Sequence, residues 1–393
     1  MSLSLNPLAN PRGTKLQCEI CQKSAFSQCT HCRVTYYCGR DHQAEDWDGI
    51  HSKVCALLAA IRAPKPFLNS EEQRYQYESK KAKKQKQLVS LTSTEAQRLL
   101  YDGQYKRALP AAQLSLRSST EMYGSGRMEL IPALVVLAEA CIGAFQLDKA
   151  EQYLSQAKWS ALQAGESCPS GLLSQINRVL GRLHIARGSH GQAMAHLAED
   201  VYHSSLAHGP EHVKTSGGYF NMARSFYAIN NMPAARPLYT EVLSIWYKFL
   251  TVVAATEDSE DEEAPVLEAG SSILLEDIDK DVKQVSPFAK FEKEIDEASR
   301  AEAVFMFTDI IQTLSAGRIA FSKEQECQCH WILSILCSIV GKTDRVNEHY
   351  DVASSLCVAE GGNAELHENV AKLGTWIKSA SAQDSRSRKR SLA

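Results

Sequence analysis

Between Cys18 and Cys55 the chain places six cysteines and two well-spaced histidines, a density of metal ligands that no other stretch approaches. The order is Cys18-x2-Cys21, Cys29-x2-Cys32, Cys38-x3-His42 and His51-x3-Cys55. Thiolates and imidazoles at these spacings suit tetrahedral zinc, and eight ligands satisfy two four-coordinate ions. A stretch this short cannot bury enough apolar surface to hold itself folded. Metal binding, on the order of 10–16 kcal/mol for each structural site, therefore becomes its folding free energy. With every coordination position taken by protein, neither ion has an opening for a substrate, so the stretch is expected to be structural. His31, inside the second Cys-x2-Cys, is read as a bystander. Disulfide bonding is the competing use of these cysteines. The chain opens without a basic segment followed by an apolar run, so a reducing compartment is expected, and metal ligation with it.

This spacing resembles the MYND zinc finger. The residues that carry the resemblance are Tyr37-Cys38, Gln43 directly after His42, and Trp47 ahead of His51-x3-Cys55. It implies interleaved ligation, with Cys18, Cys21, Cys38 and His42 on one zinc and Cys29, Cys32, His51 and Cys55 on the other. It also implies a groove for short proline-containing peptides. There Gln43 would offer an amide to the peptide backbone and Trp47 an indole face to proline. The alternative for Trp47 is packing within the finger's own small core. Two positions depart from the family pattern. His42 stands where cysteine is usual, which zinc tolerates. Three residues rather than two separate Trp47 from His51, which bears on the shape of the groove.

The whole chain has 393 residues, 44% hydrophobic and 23% charged, which leaves room for further domains of an ordinary soluble kind. No apolar run is long enough to span a bilayer, so no membrane partner is expected. A formal net charge of −3 gives no footprint for nucleic acid, and the finger lacks a Cys2His2 recognition helix.

Beyond the finger the chain repeats itself. Ala108, Ala150, Ala193 and Ala235 stand 42 or 43 residues apart. Twelve residues before each is a small residue: Ala96, Ala138, Gly181 and Ala223. Nine before are Leu99, Cys141, His184 and Phe226, and four after are Ala112, Leu154, Leu197 and Tyr239. Gly103, Gly188 and Asn230 precede their alanines by five, where a chain must turn between helices. Small residues at fixed positions let paired helices approach closely. The pattern resembles a lengthened tetratricopeptide repeat, of the kind kinesin light chains use, with about one extra turn in each helix. A generic helical bundle is the alternative.

The expected organisation is mostly α: a small two-zinc MYND finger followed by an α-helical tetratricopeptide-like solenoid. Residues 1–14 read as disordered, 15–62 as the finger, and 67–90 as a linking helix capped by Ser70. Long repeats follow over 91–253, then an acidic disordered insertion over 254–286. Residues 287–380 read as a degenerate repeat with capping helices, and 381–393 as a disordered basic tail. Within 67–90 the run Lys80–Lys86 could touch an acidic partner or simply be a solvated face. Cys327, Cys329 and His330 lack partner ligands and read as buried core. His208 and His212 read as loop.

No nucleophile–base arrangement or glycine-rich cofactor loop stands out, so an enzyme is not expected. The contrary reading is a SET/MYND-type protein lysine methyltransferase, but only fourteen residues precede the finger, and no Asn-His-Ser-Cys-like stretch occurs. What remains is a protein–protein interaction adaptor with two surfaces. One is the finger. The other is the concave side of the stack, where repeat register places Arg178, Arg182 and Arg224, with Tyr227 one turn on. Guanidinium groups there would suit a carboxylate-rich segment, from a partner or from Glu257–Glu263 of this chain; solvated arginines are the alternative. Asn69 to Gln73, Thr215 to Ala223 and Leu238 to Trp246, with the order of finger, charged helix and long repeats, resemble ciliary and sperm-flagellar MYND proteins. That resemblance implies a cytoplasmic, axonemal location. It implies another tetratricopeptide-repeat protein and dynein-arm components as partners, with a part in dynein-arm assembly or docking and in sperm motility. A nuclear MYND-type corepressor adaptor is the other non-catalytic reading.

Overall fold

The computed structural model describes residues 6–7, 16–255, 295, 297–359 and 364–391. The expected disordered stretch 1–14, apart from 6–7, and the acidic insertion beyond residue 255 lie outside the described residues. Residues 6–7 form a short strand, β1 (Asn6–Pro7), paired antiparallel to β2 (Ser27–Gln28). β2 in turn pairs with β3 (Tyr36–Tyr37), in register Ser27 with Tyr37. Among the described residues, every regular element after β3 is a helix. The chain divides into two compact units, Met1–Pro210 and Glu211–Ala393.

In the first unit, α1 (Arg40–Asp46) runs through a π-helical turn, Trp47–His51, into α2 (Ser52–Arg62). Then come α3 (Glu71–Tyr101), α4 (Tyr105–Tyr123), α5 (Ile131–Gly143), α6 (Leu147–Ala164), α7 (Ser170–Ala186) and α8 (His190–His208). Helices α3–α4, α5–α6 and α7–α8 pack as hairpins, and the first helices are neighbours, α3 with α5 and α5 with α7. The linking helix and the first helix of the first repeat are one element. Ser70 caps it by accepting from Gln73 N–H at 3.1 Å, and no glycine or proline interrupts the run from Glu71 to Tyr101.

The second unit holds the hairpin α9 (Val213–Ala228) and α10 (Met232–Ala255), then α11 (Glu297–Ser315). α12 (Lys323–Ile339) and α13 (Thr343–Ala359) form another hairpin, followed by α14 (Ala364–Ser391). α14 continues past residue 381, where the sequence pattern starts a disordered tail; no glycine or proline follows Gly374 to stop it. The unit's core includes Trp246, whose indole N–H donates to Ser216 Oγ at 2.9 Å, and Trp331.

The repeat register is legible in three dimensions. Ala108, Ala150, Ala193 and Ala235 are all fully buried, as are Ala96, Ala138 and Ala223. Five residues before each marker the backbone is left-handed: Gly103 (φ 73°), Phe145 (φ 58°), Gly188 (φ 73°) and Asn230 (φ 61°). The next N–H then reaches back to the same helical carbonyl each time: Gln104 to Leu99, Gln146 to Cys141, Ser189 to His184 and Asn231 to Phe226, at 2.8–2.9 Å. This is the Schellman closure of a helix end. A fifth copy closes α12, with Gly341 at φ 77° and Lys342 N–H on Cys337 O.

Candidate metal centre

The two Cys-x2-Cys segments fold as matching knuckles. Gln22 N–H returns to Cys18 O and Arg33 N–H to Cys29 O, both at 3.0 Å. Gln22 (φ 60°) and Arg33 (φ 57°) take the left-handed conformation that turns the chain after each pair. Neither is glycine, so composition gave no hint of these strained positions. β3 carries Cys38 up to the first knuckle, while α1 brings His42 and α2 brings Cys55.

The ligand atoms gather into two groups, Cys18–Cys21–Cys38–His42 and Cys29–Cys32–His51–Cys55, each with all donors within 4.8 Å of one another. Cys18 Sγ lies 3.5 Å from His42 Nδ1, Cys21 Sγ 3.6 Å from Cys38 Sγ, and Cys38 Sγ 3.1 Å from His42 Nδ1. In the other group Cys32 Sγ lies 3.6 Å from His51 Nε2. Around tetrahedral zinc, with Zn–S near 2.3 Å and Zn–N near 2.0 Å, ligand atoms should be about 3.5–3.8 Å apart. Three of the four distances have the length of coordination edges, the Cys38–His42 approach being shorter, and the interleaved set fits two zinc ions. The described cysteines are all free thiols, so the disulfide alternative is not taken.

Around the second group the residues that orient the ligands are in place. Thr35 Oγ1 is 3.2 Å from Cys32 Sγ. Tyr37, fully buried, donates its hydroxyl to Asp46 Oδ2 at 2.6 Å, and the same oxygen lies 3.6 Å from His51 Nδ1. At 3.6 Å this is a charge contact and not a hydrogen bond, and His51 Nδ1 has no hydrogen-bond partner. A carboxylate this near a metal-bound imidazole still favours one ring orientation and raises its basicity. Burial pushes the Asp46 carboxyl above its usual value, and the Tyr37 hydrogen bond opposes that shift. In the Tyr-Cys pair, therefore, Tyr37 holds the carboxylate beside His51 while Cys38 belongs to the other ligand group.

The extra residue between Trp47 and His51 is absorbed by the π turn. Ser52 N–H reaches Trp47 O, an i to i+5 bond, which takes one added residue into a helix without turning His51 away from its group. The Asp48 carbonyl accepts from Arg107 at 3.0 Å, and a Cβ on Gly49 would stand 2.9 Å from Arg107 O. The finger is thus pressed onto α4. Ile50, Val54, Leu58 and Ile61 share one core with Leu99, Ala108 and Leu134. Glu19, almost fully buried, is gripped by Arg62 at 2.6 Å and by Arg117 of α4. Sequence spacing places the ligands but gives no sign of this docking.

Trp47 is half-buried, its ring 5.7 Å from His31 and 5.8 Å from His51, so it packs on a ligand and on the bystander histidine. Gln43 is buried, and its Oε1 has no hydrogen-bond partner. Arg178 bonds the fully buried Asp200 at 2.9 Å, and Arg182 pairs with Glu139, both in the first unit. In the second, Arg224 lies 3.5 Å from Asp309 and over the rings of Phe220 and Phe305, while Arg318 sits over Tyr227. Each of the three arginines has a carboxylate of this chain beside it, which an acidic ligand would have to displace. Cys327 and Cys329 are buried, and His330 pairs with His349, Nδ1 to Nδ1 at 3.2 Å.

Comparison with known proteins finds the family model described as the MYND finger matching residues 18–55. Among solved structures, that titled "Crystal structure of BtubC (BKLC) from P. vanneervenii" is 16% identical, over 66% of this chain and 93% of that one, with a TM-score of 0.32. At that score the likeness assigns neither fold nor function. No helix among the described residues is long and apolar enough to cross a membrane.

Proposed function

We propose that this chain is a non-catalytic adaptor that binds proteins through its MYND finger and through its helical hairpins. The MYND finger is a protein-interaction module. The observation that carries the proposal is the completeness of both ligand groups: four protein donors on each zinc leave no position for a reacting molecule. In this reading Gln43 and Trp47 receive a short proline-containing peptide, and the half-buried Trp47 supports it by leaving part of its ring open to proline. The tetratricopeptide-like reading rests on the repeated buried alanines and the repeated Schellman turns.

The finer proposal is a cytoplasmic, axonemal adaptor of cilia and sperm flagella that works with another repeat protein on dynein arms; it rests on the sequence resemblance alone. The test is affinity capture from flagellated cells with wild type and with Gln43→Ala/Trp47→Ala. Deleting the finger would be uninformative, because Ile50, Val54 and Leu58 complete the repeat core. Dynein-arm subunits recovered by the wild type and depleted by the double variant are expected. Recovery of chromatin corepressors instead would favour the nuclear adaptor, and lysine methyltransferase activity of the purified protein would end the non-catalytic reading.

A further inference from the structure

The first half of α3 buries almost nothing. From Glu71 to Gln87 every residue is exposed except Tyr77, Lys81 and Gln85, which are half-buried; the helix enters the core only at Leu88. Its outer end is held by the Ser70 cap and by Lys65, which pairs with Glu78 at 2.6 Å and lies over the Tyr77 ring. The projecting segment carries Lys80, Lys81, Lys83, Lys84 and Lys86. Among the described residues none of these lysines is in an ion pair. Only Lys81 has an acidic side chain three or four positions away, Glu78, which Lys65 already holds. The pairs 80–83, 80–84, 81–84 and 83–86 are like charges on neighbouring turns, each mildly destabilising to a helix. A rigidly anchored helix thus displays concentrated positive charge that the described part of the chain leaves uncompensated.

We propose that this lysine ridge docks a carboxylate-rich protein segment. The charge complementarity selects an anion, and the residue type selects among anions. Ammonium groups are hydrated point charges that suit a flexible string of carboxylates. The cluster contains no arginine fork for bidentate contact with phosphate or base edges. A net charge of −3 supplies no wider basic field for a long polyanion.

The test is the binding of a fluorescein-labelled oligoglutamate peptide to the full-length, zinc-loaded protein, followed by anisotropy through a salt series. Binding that weakens steeply with salt is expected. Lys80→Gln, Lys83→Gln, Lys84→Gln and Lys86→Gln together should weaken it by roughly tenfold or more, while the four Lys→Arg changes should keep it. All four positions are exposed, so the far-ultraviolet circular dichroism and melting of both variants should match the wild type. The proposal is overturned if the wild type fails to bind at low salt, or if the glutamine variant binds equally well. Tighter binding of duplex DNA or of phosphatidylserine vesicles through the same lysines would also overturn it.

Discussion

Asp46 shows how much of the finger's chemistry lies behind its ligands. Its Oδ2 takes the Tyr37 hydroxyl and faces the ring nitrogen of His51 that does not point at the metal group. Asp46→Asn keeps the shape and removes the charge, so the affinity of the second site for zinc should fall roughly 10- to 100-fold. Competition with a chromophoric chelator reads this directly, and an unchanged affinity would show that His51 needs no orienting carboxylate. A second residue pair gives the protein a pH response. Burial, and then the neighbouring His349, push His330 down to about 4, and His349 is lowered by its own burial. An unfolded histidine titrates near 6.5. As the pH falls below that value the unfolded chain takes up a proton that folded His330 refuses until about 4. Stability should therefore be full above about 6.5 and decline towards 4, by roughly 2 kcal/mol once solvent screening is allowed for. Denaturant midpoints of wild type and His330→Gln/His349→Gln across that range should diverge, with the variant flatter.

At the scale of the element, the hairpin turns explain both the regularity and its exception. Gly103, Gly188 and Asn230 take the left-handed conformation cheaply, but Phe145 takes it with its side chain largely exposed. A β-carbon in that region costs about 1–2 kcal/mol, and an exposed ring recovers little of it. Phe145→Gly should raise stability by about 1 kcal/mol, seen as a higher melting temperature. No gain would mean the phenyl ring makes a contact that outweighs the strain. The turn at 145 was invisible in the sequence because phenylalanine carries no turn signal, whereas its three counterparts do. The π turn at Trp47–His51 was half legible: the additional residue could be counted, but not where the helix would accommodate it.

At the scale of the molecule, the finger's metal and the repeats are mechanically joined. His51 and Cys55 bind metal from the same helical run that sends Ile50, Val54 and Leu58 into the core of α3, α4 and α5. Stripping zinc should therefore loosen more than the finger. Hydrogen–deuterium exchange after chelation should rise across α2, α3 and α4. It should stay unchanged in α12 and α13, since among the described residues both ligand groups lie in the unit Met1–Pro210. Exchange confined to residues 16–40 would show a finger that folds apart from its support.

The sequence alone determined what is written in local spacing. Eight ligands declare two tetrahedral ions because coordination valence is counted residue by residue, and alanines every 42 or 43 positions declare paired helices because close helix approach needs a small side chain at the same place in each pair. Tertiary structure alone decided which charges meet. Glu19 finds Arg117 across ninety-eight positions, Arg182 finds Glu139 and Arg224 finds Asp309. Such pairings depend on how whole helices settle against one another, and no interval along the chain encodes that.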